Sequence, residues 1–480
     1  MSLTPTAEQA AIVDAFGTGK NLVVEAGAGS GKTSTLRMLG EADPGRRGIY
    51  IAYNKAIATD AAKSFPRNVR CATAHSLAYR AVGSRYRHRL NGPRVPARES
   101  ARILGIREPL QVADDKVLAP NRLARIVMDT VGRFCHGAAP EPNRWHVPVL
   151  PGLDEADALA ALQAAVVPLA QKAWADIVRV DGQLRFSHDA YLKIWAMSGP
   201  MLPADFVLLD EAQDANPVIS GVVAGQDAQK ILVGDRSQAI YGWRGATDAM
   251  ETFDGDRYVL SQSFRFGPEI AAEANKWLTY LRAPLRLRGF AAVPSRLAEV
   301  GQPDAVLCRS NAQAITEIFG VIRAGRRAAL VGGGQDMRQL AMAAVSLRAG
   351  LGCDHPELFA FTSWAEVQDY AANDSGGTDL QVAVKLIDQH GPDVIVDVLD
   401  RLVSEDDADV VLSTAHRAKG REWSTVRIAS DFREPKKDPE SNAEPTIPRG
   451  EAMLAYVAVT RAKLVLDRKG LAWIDRWVSA

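Results

Sequence analysis

The chain of 480 residues has only four cysteines, Cys71, Cys135, Cys308 and Cys353, and they are scattered. No CxxC pair occurs, which excludes a cysteine-clustered zinc or iron–sulfur centre and points to reduced thiols. Long apolar runs are missing too. The strongest candidate, 158–170, is interrupted by Gln163 and Pro168 and falls short of the ~18 residues a membrane helix needs. The opening Met-Ser-Leu-Thr-Pro-Thr has neither a basic nor an apolar targeting region, so a cytoplasmic protein with no membrane partner is expected. Nor is there an excess of either charge: 57 Lys and Arg balance 57 Asp and Glu. Global charge gives no support to a polyanion binder, although a neutral body can carry a local basic groove.

What is present is a globular composition, 47% hydrophobic and 24% charged, which argues against wholesale disorder. At ~150 residues per domain the length allows about three domains. Short apolar, β-branched runs alternate with helical stretches. They predict strands at 21–26, 48–53, 206–210, 230–234, 258–261, 305–308, 328–331, 410–413, 426–430 and 464–467. Several are solidly apolar, as parallel strands covered on both faces by helices are. They fall in two groups, before and after about residue 265, which predicts two α/β cores. The expected first core is 1–80 with 201–265, interrupted by a helical insertion at 81–200. The expected second core is 266–333 with 405–480, interrupted by a short helical insertion at 334–404. Proline-rich 434–450 reads as a surface loop.

One stretch carries chemistry openly. A strand ending at Ala26 runs into Gly27-Ala28-Gly29-Ser30-Gly31-Lys32-Thr33-Ser34, and a helix can follow. Strand, glycine-rich turn and helix N-terminus are the setting in which backbone N–H groups turn toward phosphate oxygens. Lys32 is placed to reach β- and γ-phosphates and Thr33 to sit on Mg²⁺. A second apolar strand, 206–209, delivers Asp210 and Glu211 at its C-terminal end, where a nucleotide site in an open sheet needs acids. Asp210 is expected to hold Mg²⁺ and Glu211 to activate the attacking water.

With these two elements the sequence resembles superfamily 1 helicases of the UvrD/Rep type, and further motifs occur in that family's order. They include Gln9, Tyr53-Asn54, Thr73-Ala-His75, Asp210-Glu-Ala-Gln-Asp214, Gln238 with Tyr241-Gly-Trp243-Arg244, and Phe264-Arg265. Arg309, His416, Glu422 and Arg461 lie in the remaining ones. Within the family, the stretches 53–60, 73–79, 188–195 and 416–423 are similar to F-box helicases, without their F-box. The resemblance implies two RecA-like P-loop cores with parallel sheets, the second insertion being reduced. It implies ATP and Mg²⁺ as cofactors, Gln9 and Phe264 at adenine and Glu422 at the ribose. Residues 26–34 would hold the phosphates. Lys32, Glu211, Gln238, Arg265 and Arg461 form the implied hydrolytic set, the two arginines acting as fingers when the cores close.

The implied partner is single-stranded DNA, with its junctions to duplex, gripped by a monomer. Tyr53, Tyr241 and Trp243 are candidates to stack bases, since stacking tolerates any sequence. Asn54, Thr73, His75, Arg244, Arg309 and His416 are candidates for backbone or base-edge contacts. The arginines at 85, 87 and 89, and at 282, 286 and 288, are candidates to line a duplex approach, against the usual reading of a charge run as a solvated face. The expected activity is ATP-dependent translocation, 3′→5′ by resemblance, with duplex unwinding in repair or recombination. Two alternatives stand beside it: a translocase that strips recombinase filaments or other proteins from single strands, and a nucleotide-switched DNA-binding protein.

Overall fold

The computed structural model describes residues 4–93, 95–113, 116–150, 153, 155–240, 249–355, 358–359, 361–373, 378–437 and 444–478. The chain forms two compact units. One comprises Met1–Ala26 and Gly31–Leu260, the other Gly27–Ser30 and Ser261–Ala480.

In the first unit the strands are β1 (Leu22–Ala26), β2 (Gly48–Ala52), β3 (Val69–Thr73), β4 (Leu110–Ala113), β5 (Lys116–Leu118), β6 (Phe206–Leu209), β7 (Gln229–Gly234) and β8 (Asp256–Leu260). Six of them form one sheet in the order β3-β2-β6-β7-β1-β8, and every pairing in it is parallel. Val24 of β1 stands opposite Val233 of β7 and Tyr258 of β8, so the fully buried β1 is an interior strand. Solid burial of β1, β2 and β6 accounts for their unbroken apolar sequences. The chain passes from β1 across to β2 on one side, and β8 lies on its other side. Ligand crevices of open parallel sheets form outside the strand C-termini at such a reversal.

In the second unit the strands are β9 (Arg296–Leu297), β10 (Ala305–Cys308), β11 (Ala328–Leu330), β12 (Val410–Thr414), β13 (Trp423–Ile428) and β14 (Ala462–Asp467). They make a second wholly parallel sheet, ordered β11-β12-β10-β13-β14-β9. Two large parallel sheets in a mixed α/β chain are the architecture of two RecA-like cores.

The structure corrects the sequence reading in several places. Strand β3 was not expected: it carries Arg70 and Cys71 and is an edge strand, so it lacks a continuous apolar run. The two-residue β9 and the antiparallel hairpin β4–β5, inside a stretch read as helical, were likewise unforeseen. Strand β13 begins three residues earlier than expected, at Trp423. Arg89, read as part of a solvated face, is instead drawn inward. Its guanidinium donates to the carbonyls of Ile177, Arg179 and Leu184 and fastens the turn after a long helix.

Between β3 and β6 lie helices Ala97–Leu104, Pro120–His136, Ala156–Ile177 and His188–Met197. Pro168 sits inside the third of them. Among the described residues no helix is long and apolar enough to cross a membrane. Helices Gln335–Arg348, Trp364–Asn373, Thr378–His390 and Pro392–Asp400 share one apolar core with β10–β12, in which Val367, Ile387 and Ile395 meet Val306 and Leu412. Burial against the sheet, not intrinsic helix preference, is what stabilises such short helices.

Candidate functional site

At the end of β1 the chain turns through glycines before helix Lys32–Ala42 begins. Gly31 caps that helix at φ +78°, a left-handed conformation that costs a side-chain-bearing residue about 1–2 kcal/mol. The turn leaves the first N–H groups of the helix facing outward, at the positive end of its dipole. Ser30 is buried, and its hydroxyl oxygen has no hydrogen-bond partner among the described residues. A phosphate oxygen is a fitting partner for that hydroxyl.

The acids come from the neighbouring strand ends. Lys32 Nζ lies 3.1 Å from Glu211 Oε1. Burial lowers the lysine pKa, but the carboxylates of Glu211, Asp235 and Asp210 outweigh it and leave the ammonium held above its ordinary value. Asp210 is buried and shifts upward, through burial and the charge of Glu211, against Lys32 and a hydrogen bond from Tyr50. Tyr50 donates to Asp210 Oδ2 at 2.6 Å, and the Thr33 hydroxyl is 3.5 Å from the same oxygen. Three carboxylates around one ammonium leave an excess of negative charge that a divalent cation would neutralise. Among the described residues no three His, Cys, Asp or Glu groups gather into a metal cage. Mg²⁺ commonly takes only one or two carboxylates, with phosphate oxygens and water completing its shell.

Further bonds tie this cluster together. Gln213 donates to Glu211 Oε2 at 2.6 Å while its carbonyl accepts from Asp235 N. A Cβ on Gly234 would meet that carbonyl oxygen at 2.1 Å, so only glycine admits the link. Asp235 in turn accepts from Gln238 Nε2 at 2.5 Å. Gln9 is buried: its Nε2 donates to Thr35 and its Oε1 accepts from Thr6 N. One donor and one acceptor position of that amide remain.

The ends of β2 and β3 border a cavity of about 960 Å³. Tyr53, 47% exposed, Thr73 and His75 line it on one side; Asp210, Glu211 and Asp214 line the other. Asn54 and Thr73 cap the helices that follow, accepting from Ile57 N and Ser76 N. His75 Nε2 lies 3.0 Å from Asp189 Oδ1, and His136 Nε2 lies 3.4 Å from Asp189 Oδ2. These hydrogen bonds, that of His136 first, hold the Asp189 carboxyl well below the usual range. Tyr191, from the same helix, packs edge-on against His75 and Tyr79.

Within the second unit, Ser263 Oγ donates to Ala28 O and Phe264 N to Gly29 O. Phe264 is 39% exposed beside Phe290. Arg265 pairs with Glu422 at 2.7 Å and donates to Thr460 O. Arg461 is almost wholly buried and donates to Val457 O, Arg421 O and Thr460 Oγ1. Arg309 forks onto Glu451 through Nε, and its backbone N–H meets Asp431. His416 is half-buried on the short helix that follows β12.

The UvrD/REP helicase N-terminal domain matches residues 203–256. Over 508 residues the chain is 29% identical to F-box DNA helicase protein 1 of Schizosaccharomyces pombe, a match covering 95% of this chain and 56% of the relative. F-box DNA helicase 1 of Gallus gallus is 29% identical over 496 residues, covering 93% and 47%. The chain is similar to UvrD-type helicases. DNA helicase II of Haemophilus influenzae is 35% identical over 78 residues, 15% of this chain and 11% of that protein. The chain thus spans about half the length of the curated relatives it matches across both units.

Three residues expected on the DNA path, Tyr241, Trp243 and Arg244, lie outside the described residues. Sequence reasoning passed over Tyr50, Asp235, His136 and Asp189. Tyr50 had a signal, a hydroxyl inside an otherwise apolar strand. Asp189 had one too, standing in the 188–195 stretch of the F-box-type likeness. His136 had none, because only folding brings a helix end to β3.

Proposed function

We propose that the chain is an ATP-dependent DNA helicase that moves 3′→5′ along single-stranded DNA and unwinds duplex in repair or recombination. The observation that carries the reading is the pairing of Lys32 with Glu211, with Asp210 and Thr33 alongside, at the C-terminal ends of β1 and β6. Residues 26–34 cradle the phosphates, and Lys32 draws the β- and γ-phosphates. Thr33 and Asp210 would hold Mg²⁺, which would supply charge neutralisation there. Glu211 orients and deprotonates water. Gln238 senses the γ-phosphate; Arg265 and Arg461 answer its developing charge. Gln9 and Phe264 hold adenine and Glu422 the ribose.

On the nucleic-acid side the reading assigns Tyr53, Asn54, Thr73, His75, Arg309 and His416, with Tyr241, Trp243 and Arg244. Single strands and their junctions with duplex are the partners of a monomer. ATP turnover with and without single-stranded DNA, then strand separation on tailed duplexes of both polarities, tests it. Stimulated turnover without strand separation would leave a translocase that strips recombinase filaments or other bound proteins. Strand binding without turnover would leave a nucleotide-switched binder.

A further inference from the structure

The cavity beside β2 and β3 has a wall that the helicase motifs do not supply. Trp145 stands on its rim with 76% of its surface exposed, the second most exposed of the large hydrophobic residues described. The backbone that carries the ring is tied down. Asn143 accepts from Trp145 N at 3.1 Å and donates its own N–H to His146 Nδ1 at 3.0 Å, which closes a rigid capped turn. The Arg144 guanidinium lies over the Trp145 ring, 4.4 Å from its centroid. One face of the indole is thereby covered by a cation and the other is left for a second planar group.

Charge decides what enters. Asp129, Asp189, Asp210, Glu211 and Asp214 line the cavity, against Arg133 and three histidines. Two of those histidines, His75 and His136, already face Asp189. On the proposed function Asp210 and Glu211 serve the nucleotide; the remaining acids, Asp129, Asp189 and Asp214, disfavour phosphate but accept hydrogen bonds from ring and exocyclic amines. Its volume, about 960 Å³, lies at the upper end of the ~300–1,000 Å³ usual for ligand pockets.

Resting on the proposed function, we propose that this cavity takes an unpaired nucleobase of the bound strand, stacked on the open face of Trp145, with its phosphates left outside. Trp145 is then a base platform contributed by the helical insertion.

The test compares fluorescence anisotropy of a labelled single strand and of an abasic strand of equal length on wild type, Trp145→Ala and Trp145→Phe. Trp145→Ala should weaken the base-bearing strand ~5- to 150-fold, the equivalent of losing one stacked base. It should leave the abasic strand unchanged, and Trp145→Phe should recover most of the loss because a π-face suffices. Melting of each variant is measured alongside. Independently, a 5-iodouracil strand irradiated on the wild type should cross-link to the peptide containing Trp145. Equal weakening of both strands by Trp145→Ala, no weakening of either, or cross-links only elsewhere overturns the platform while leaving the helicase reading intact. A wild type that binds no strand overturns both.

Discussion

Glu211 reaches Lys32 from a backbone that no other described residue but Arg282 shares among non-glycines: its φ is +50°. The left-handed turn directly after β6 aims the carboxylate at the phosphate loop. Strain of this kind, of order 1–3 kcal/mol, persists only where surrounding structure holds it. Gln213, bonded to both Glu211 and the backbone of Asp235, does that here. On the proposed function, a phosphate at Lys32 would compete with Glu211 for the ammonium and leave the carboxylate to act on water.

The strain is directly measurable. Glu211→Ala and Glu211→Gly both remove the carboxylate; glycine tolerates positive φ, which outweighs its greater loss of chain entropy on folding. The glycine variant should be the more stable by about 1 kcal/mol in urea unfolding. The opposite order would contradict the left-handed turn.

Removing the cation has two effects. Lys32→Ala should cut ATP turnover by about 10²-fold or more, the scale for losing one preorganised charge stabiliser. It also takes from Asp210 the ammonium that opposes burial and the charge of Glu211, so that carboxyl shifts further upward. Carboxyls whose folded pKa is raised destabilise the fold as pH rises through their unfolded value. The stability deficit of Lys32→Ala should therefore be larger at neutral pH than near pH 4. A deficit independent of pH would count against the cluster.

Asp189 has the opposite sign. His136 and His75 depress its pKa, so its contribution is fully present above its unfolded value and is lost as pH falls through the folded one. The stability gap between wild type and Asp189→Asn should thus be full at about pH 5 and shrink below about pH 4. Parallel melting profiles across that range would exclude the bridge.

Arg461 is expected to matter for folding as well as for turnover. Its truncation removes three hydrogen bonds from an almost fully buried site. Arg461→Ala should cost about 3 kcal/mol or more, through a cavity plus orphaned carbonyls. A change below about 1 kcal/mol in chemical denaturation would show the side chain to be dispensable to the fold.

Neutral net charge makes salt dependence informative. Each phosphate contact adds ~0.7 to the log–log slope for single strands, so four or more contacts should give about −3. A slope near zero would mean that no basic path for the strand exists.

How much of this was legible in the sequence depended on what kind of signal each feature leaves. Strands β1, β2, β6 and β10 were readable because interior parallel strands are buried on both faces and need unbroken apolar residues. The phosphate loop was readable because a strand-to-helix turn around an anion restricts composition over consecutive residues. Tertiary structure alone decided the rest. The edge strand β3 has one edge unpaired and carries mixed residues, so no pattern marks it. The bridge from His75 through Asp189 to His136 joins three helices distant in sequence, and its members look like ordinary polar residues until they meet. The exposed indole of Trp145 is of the same kind: a tryptophan in sequence is usually core, and only the capped turn at a cavity rim turns its ring outward.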